Sequence, residues 1–210
     1  MNVSIRPIFT ILSMLFALTS CGGGDVNQNT GSLLNEDFTG NLVEFGRDMN
    51  ACVKFTPEML AALYNAPVKD AMAVDFRKQL PDRFDKSAQA ICNLRIQTGE
   101  NKFDYLSGSI HFTPEVAADE MMGELAQAAG QGENWIESWE LQLMIADVEP
   151  LKNMGMAALW SDKKAELRIK FDGYTVYINP PKARLNAAEN ALNRDYKAIA
   201  IAIAEQSGLL

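Results

Sequence analysis

Hydrophobic and polar positions alternate most clearly in the middle and towards the end of the chain. Cys92, Leu94 and Ile96 fall on one side of an extended segment, and Gly99-Glu100-Asn101 turns the chain back. Residues 103–112 read as the next strand, with Leu106, Gly108, Ile110 and Phe112 in step. Phe103 and Tyr105 are out of step, and this change of face near Tyr105–Leu106 predicts a bulge. The strongest hairpin covers residues 165–179 and turns at Asp172-Gly173, a type I′ signal. It sets Phe171 opposite Tyr174, Ile169 opposite Val176 and Leu167 opposite Ile178 on one face. Arg168, Lys170, Thr175 and Tyr177 take the other face. Trp139, Leu141, Leu143 and Ile145 alternate as a further strand, and Pro180-Pro181 is expected to break the sheet.

Helices are announced by their ends. Thr56-Pro57-Glu58 supplies an N-cap, a proline at the first helical position and an acid in the first turn. Met59, Leu60 and Leu63 form the apolar face, and Asn65-Ala66-Pro67 stops the helix. The same Phe-Thr-Pro-Glu string recurs at residues 112–115 and predicts a second helix from Thr113, with Ala118, Met121, Met122 and Leu125 inward and Gly130-Gln131-Gly132 at its end. Between residues 68 and 90, Phe76, Leu80 and Phe84 recur every four positions as a loose amphipathic segment interrupted by Pro81. Residues 183–207 read as a long closing helix with Leu185, Leu192, Tyr196, Ile199 and Ile203 on its apolar side. The order predicts an α+β fold, an antiparallel sheet of about five strands packed against helices, with a long C-terminal helix.

The first twenty residues follow neither pattern. Arg6 is their one charge, and an apolar run extends from Ile8 to Leu18. A bilayer span needs roughly 20 apolar residues; this shorter run suits a signal-peptide core. It ends in Leu18-Thr19-Ser20-Cys21, followed by Gly22-Gly23-Gly24. This string resembles the bacterial lipoprotein signal, in which small residues admit a peptidase and an obligatory Cys takes a diacylglyceryl group through a thioether. The resemblance implies removal of residues 1–20 and lipid on Cys21. Further acylation of the new amine would provide the two or more chains that stable anchoring needs. Gly22 stands where Asp would favour inner-membrane retention, so the resemblance implies the outer membrane of a Gram-negative host. The plainer reading is an ordinary secretory signal cleaved near Ser20, with Cys21 a spare thiol. Residues 21–36, rich in Gly and Asn, then form a lipidated flexible tether, and residues 37–210 a single domain.

Export bears on the other two cysteines. Cys52 and Cys92 lie 40 residues apart and, once Cys21 carries lipid, are the one intramolecular pair left to bridge. Two buried thiols or a redox pair are the alternatives, but no C-x-x-C spacing supports the latter. Cys52-Val53-Lys54-Phe55-Thr56-Pro57-Glu58 together with Cys92 resembles exported two-cysteine lipoprotein domains of unknown function from actinobacteria, in which a Cys before a Thr-x-Glu helix pairs with a Cys opening the first strand. The likeness covers residues 50–205 and implies a fold, not an activity.

Composition narrows function mainly by exclusion. Hydrophobic residues at 48% and charged residues at 22% describe a folded globular chain. A formal charge of −8, which becomes −9 when Arg6 leaves with the signal, excludes a basic nucleic-acid face. The single histidine, His111, alternates with Ile110 and Phe112 and so falls on the solvated side of its strand, with no nucleophile elbow to serve. No metal-ligand spacing and no phosphate-binding glycine loop occurs, so neither metal nor cofactor is expected. Asp119, Glu120 and Glu124 read as a solvated helix face. Trp135, Trp139 and Trp160 are candidates for an aromatic platform that takes a sugar ring or a partner protein, against the alternative that they fill the core. Met154 and Met156, around Gly155, offer either an adaptable surface or core filling. The reading that results is a non-catalytic, lipid-anchored envelope protein that binds a small ligand or an envelope partner. A small envelope hydrolase using a carboxylate pair and an inhibitor or immunity protein are the alternatives.

Overall fold

Two antiparallel meanders meet edge to edge in the computed structural model, which describes residues 33–40, 50–79, 90–115, 134–183 and 194–209. The first meander is β1 (Ala71–Asp75), β2 (Ala90–Gln97) and β3 (Tyr105–Pro114). The second is β4 (Glu149–Leu151), β5 (Ala157–Ser161), β6 (Glu166–Phe171) and β7 (Tyr174–Lys182). They join through β3 and β7 into one seven-stranded sheet of order β1-β2-β3-β7-β6-β5-β4. The described helices are α1 (Pro57–Tyr64), α2 (Trp135–Ile145) and α3 (Tyr196–Gln206). The class is α+β with an antiparallel sheet; the sheet has seven strands rather than about five.

One face of the sheet is sealed by α1 over β1 and β2 and by α3 over β6 and β7, with the two helices touching. Beneath them lie Cys92, Leu94 and Ile96 of β2, Ile110 and Phe112 of β3, and Val176 and Ile178 of β7, all buried. The start signal of α1 works as expected: Thr56 accepts from the Met59 N–H at 3.3 Å, and Asn65 closes the helix at φ 52°. Cys52 and Cys92 form a disulfide with 5.0 Å between their Cα atoms, fastening the segment before α1 to β2. The hairpin register is also as expected, with Phe171 opposite Tyr174, Ile169 opposite Val176 and Leu167 opposite Ile178. Its turn is not type I′, because only Gly173 takes a positive φ, 74°. Asp172 thereby avoids the clash a side chain suffers in the left-handed region.

Several expectations give way to longer-range interactions. Thr113 and Pro114 are strand rather than the start of a helix, and the residues expected to continue that helix lie outside the described residues. Thr113 and Pro114 finish β3 by pairing with Thr175 and Tyr174, and Glu115 donates its N–H to Gly173 O at 2.8 Å. Residues 139–145 are helical, capped by Asn134, whose side chain accepts from the N–H groups of Ile136 and Glu137. Residues 71–75 are an edge strand rather than part of an amphipathic segment, with 3-10 turns on either side. Leu80, Phe84, Ala118, Met121, Met122, Leu125, Leu185 and Leu192, and the acids Asp119, Glu120 and Glu124, lie outside the described residues. The closing helix begins at Tyr196, with Asp195 accepting from the Ala198 N–H at 2.9 Å, and is 11 residues long. The chain packs on the sheet earlier than Asp37. Asn35 bonds the carbonyls of Met156 and Gly155, and Leu33 joins an apolar cluster with Trp139.

Pro180 and Pro181 do not break the sheet. Ser107 pairs with Lys182 and Ser109 with Asn179, so the two prolines oppose Gly108 alone. This is a bulge of two residues against one, where the missing proline N–H groups are not needed by the ladder. It lies near, but not at, the position expected from Tyr105–Leu106. Tyr64 of α1 donates its hydroxyl to Pro181 O at 2.7 Å, so the bulge carbonyl is bonded.

Candidate functional site

The second face of the sheet is divided. Over β5 and β6 it is covered by α2, whose Trp139 packs with Ala157 and Leu159. Over β1, β2, β3 and β7 no described helix lies on it, and a groove of about 630 Å³ opens there. Its residues are the polar phase of the strands whose apolar phase forms the core. Asn93 and Arg95 come from β2, Ser107, Ser109 and His111 from β3, and Asn179 and Lys182 from β7. Register places them in rows: Asn93 opposite Ser109 opposite Asn179, and Arg95 opposite Ser107 opposite Lys182.

His111 is half-buried, its Nε2 2.7 Å from Ser109 Oγ. Burial pushes its pKa below the ordinary 6.5, against the pull of the Glu166 charge, so the ring is neutral at pH 7. Tyr177, its neighbour on β7, has its phenol pKa raised, chiefly by burial. Beyond Tyr177 stands Arg168, held by Glu166 at 2.7 Å and by Gln142 of α2, its guanidinium 5.6 Å from the Tyr177 ring centre. A neutral imidazole beside a hydroxyl is the pairing of a base with a nucleophile. Acyl transfer also needs donors aimed at the developing oxyanion, and Ser109 lies within β3, which is paired with β2 on one edge and β7 on the other. No acidic side chain lines the groove among the described residues. Among the same residues no cluster of three or more His, Cys, Asp or Glu forms a metal site.

The tryptophans do not converge on a platform. Trp160 is 2% exposed under the helices, its Nε1 donating to Asp162 at 2.5 Å. Trp139 is 5% exposed on the opposite side of β5. Trp135 meets Trp139 edge-on at 5.8 Å, as their four-residue spacing on a helix requires, and lies 5.3 Å from the Lys170 ammonium. Trp139 and Trp160 build core, and Trp135 is partly buried against the Trp139 cluster. Their covering helix also explains why Lys170, on the supposed solvent face, is only 1% exposed and bonds Glu115 at 2.6 Å. Met154 is buried as well.

No protein family, curated protein or solved structure matches this chain. The likenesses drawn from Leu18–Cys21 and from the cysteine spacing therefore rest on those short motifs. Cys21 lies outside the described residues, among which no helix is long and apolar enough to cross a membrane. Sequence reasoning missed the groove residues, apart from putting His111 on the face opposite the core. The signal for the others was present as the out-of-phase run Asn93, Arg95 and Ser107, Ser109 in strands already recognised.

Proposed function

We propose that this chain is a lipid-anchored protein of the bacterial cell envelope, attached through Cys21 at the outer membrane, and that its domain binds a ligand without catalysis. The observation that supports binding is the groove on the half of the sheet that no described helix covers, lined by amides, hydroxyls, an imidazole and two cations. No described element covers this part of the sheet, and a concave site with convergent polar groups is the usual form of a ligand site. The anchor rests on Leu18-Thr19-Ser20-Cys21 and the residues around it.

The test of the anchor is a Cys21→Ala variant expressed in a Gram-negative host. The expected result is loss of metabolic palmitate labelling and release of the protein from outer-membrane fractions. A variant that stays membrane-bound would overturn the anchor assignment.

A further inference from the structure

Along the strands, the groove changes chemistry from one end to the other. At one end Arg95, Ser107 and Lys182 share a row. Arg95 lies over the Tyr105 ring, 3.6 Å from its centre, and its Nη2 donates to Lys102 O at 2.6 Å and Gln97 Oε1 at 3.3 Å. Its Nε and Nη1 have no hydrogen-bond partner among the described residues. Lys182 donates to Lys164 O at 2.8 Å, which leaves two of its three protons unassigned. The two backbones are two strand spacings apart, about 10 Å, a gap that two long side chains close on one anion. Ser107 lies between them. At the other end, Phe76 and Ile91 are half-buried lining residues, with His111 opposite Ile91. Ile91 and Arg95 are four residues apart on β2, about 13 Å at ~3.3 Å per residue. Amides and a hydroxyl, from Asn93, Ser109 and Asn179, fill the middle.

We propose that the groove binds an elongated amphiphilic anion, its carboxylate or phosphate at the Arg95–Ser107–Lys182 end and its apolar end against Phe76 and Ile91. Charge argues for the anion. Acids outnumber bases 27 to 19 along the chain, yet the groove lining carries Arg95 and Lys182 and no acid among the described residues. Two cations with no acid beside them among the described lining residues attract a counter-charge. Arg95 is pre-positioned for it, because the Tyr105 ring and the Lys102 carbonyl already fix the guanidinium, so little side-chain entropy remains to be lost on binding. The apolar end excludes a small free anion as the preferred ligand, since such an ion would leave Phe76 and Ile91 facing water. This inference rests on the reading of the groove as a ligand site.

The test is isothermal titration calorimetry on the full chain carrying Cys21→Ala, whose own lipid is then absent. The probes are dodecanoate, dodecyl phosphate, neutral dodecyl maltoside and cationic dodecyltrimethylammonium, each below its micellar concentration. The expected result is that one or both anions bind about tenfold or more tightly than the neutral probe, as one charge-assisted contact supplies. The tighter anion identifies the headgroup. Arg95→Gln should remove that advantage, bringing the affinity for the anions down about tenfold towards that of the neutral probe; Lys182→Gln, which loses one bond to a loop carbonyl, gives an independent readout. Equal affinity for neutral and anionic probes, or no effect of either substitution, would overturn the anion assignment while leaving the groove a ligand site. No binding of any probe would overturn the groove reading itself.

Discussion

His111 is the only histidine in the chain, so an imidazole titration belongs to it without ambiguity. Its folded pKa is lowered by burial, with Glu166 opposing. The unfolded chain therefore takes up a proton near 6.5 that the folded chain refuses. The sign follows from linkage: above that value the ring is neutral in both states, and as pH falls below it the unfolded state gains and stability drops. Urea titrations of the wild type should show stability falling between about pH 7 and 5, with a shallower slope in His111→Asn. An equal slope in the variant would assign the dependence to other groups. Asp75 does not interfere in this window. Burial alone would push its carboxyl up, but bonds from the Arg77 side chain and backbone, the Arg77 charge and the Ala51 N–H hold it below the ordinary 3.8. Its contribution is present above that value and is lost only in stronger acid.

At the scale of the element, the seam between β3 and β7 depends on Gly108. A Cβ there would stand 2.3 Å from Asn179 O and 2.5 Å from Pro181 N, both backbone atoms that cannot rotate away. Gly108→Ala should cost about 1–3 kcal/mol in equilibrium urea unfolding, and a neutral outcome would mean that the bulge can widen. The elements that were legible had their determinants close by in sequence. The caps of α1 and the register across Asp172-Gly173 needed no distant partner. The Phe-Thr-Pro-Glu string at residues 112–115 shows the opposite case, for an identical cap signal lost to pairing with Thr175 and Tyr174 and to the Lys170–Glu115 contact. Residues 139–145 alternate apolar and polar, but Trp135, Trp139 and Leu143 also recur every four positions, and Asn134 was the cap that decided between them. Strand β5 offered no alternation because both its faces are buried, one under α2 and the other beneath the opposite core.

For the molecule as a whole, the Cys52–Cys92 bridge closes a loop of 40 residues that contains α1 and β1. In the chain-entropy account a loop of that size contributes ~4 kcal/mol by restricting the unfolded chain. A Cys52→Ala, Cys92→Ala double variant should lose about that much stability in urea or thermal unfolding; a loss well under 1 kcal/mol would show that the unfolded chain is already held together there. The polar phase that makes the groove could be read strand by strand, yet the groove itself could not, because it needs β3 beside β7 and nothing local announces that neighbour. Each meander can assemble from strands adjacent in sequence. The β3–β7 seam must bring together segments separated by the whole of residues 115–173, and such non-local closure is the slow part of building a sheet. Ser109 and His111 stand on one side of that seam and Asn179 and Lys182 on the other. The groove thus comes into being only when the two halves zip together. A ligand held there, as proposed above, would act as a clasp on the join and, by mass action, favour the finished fold.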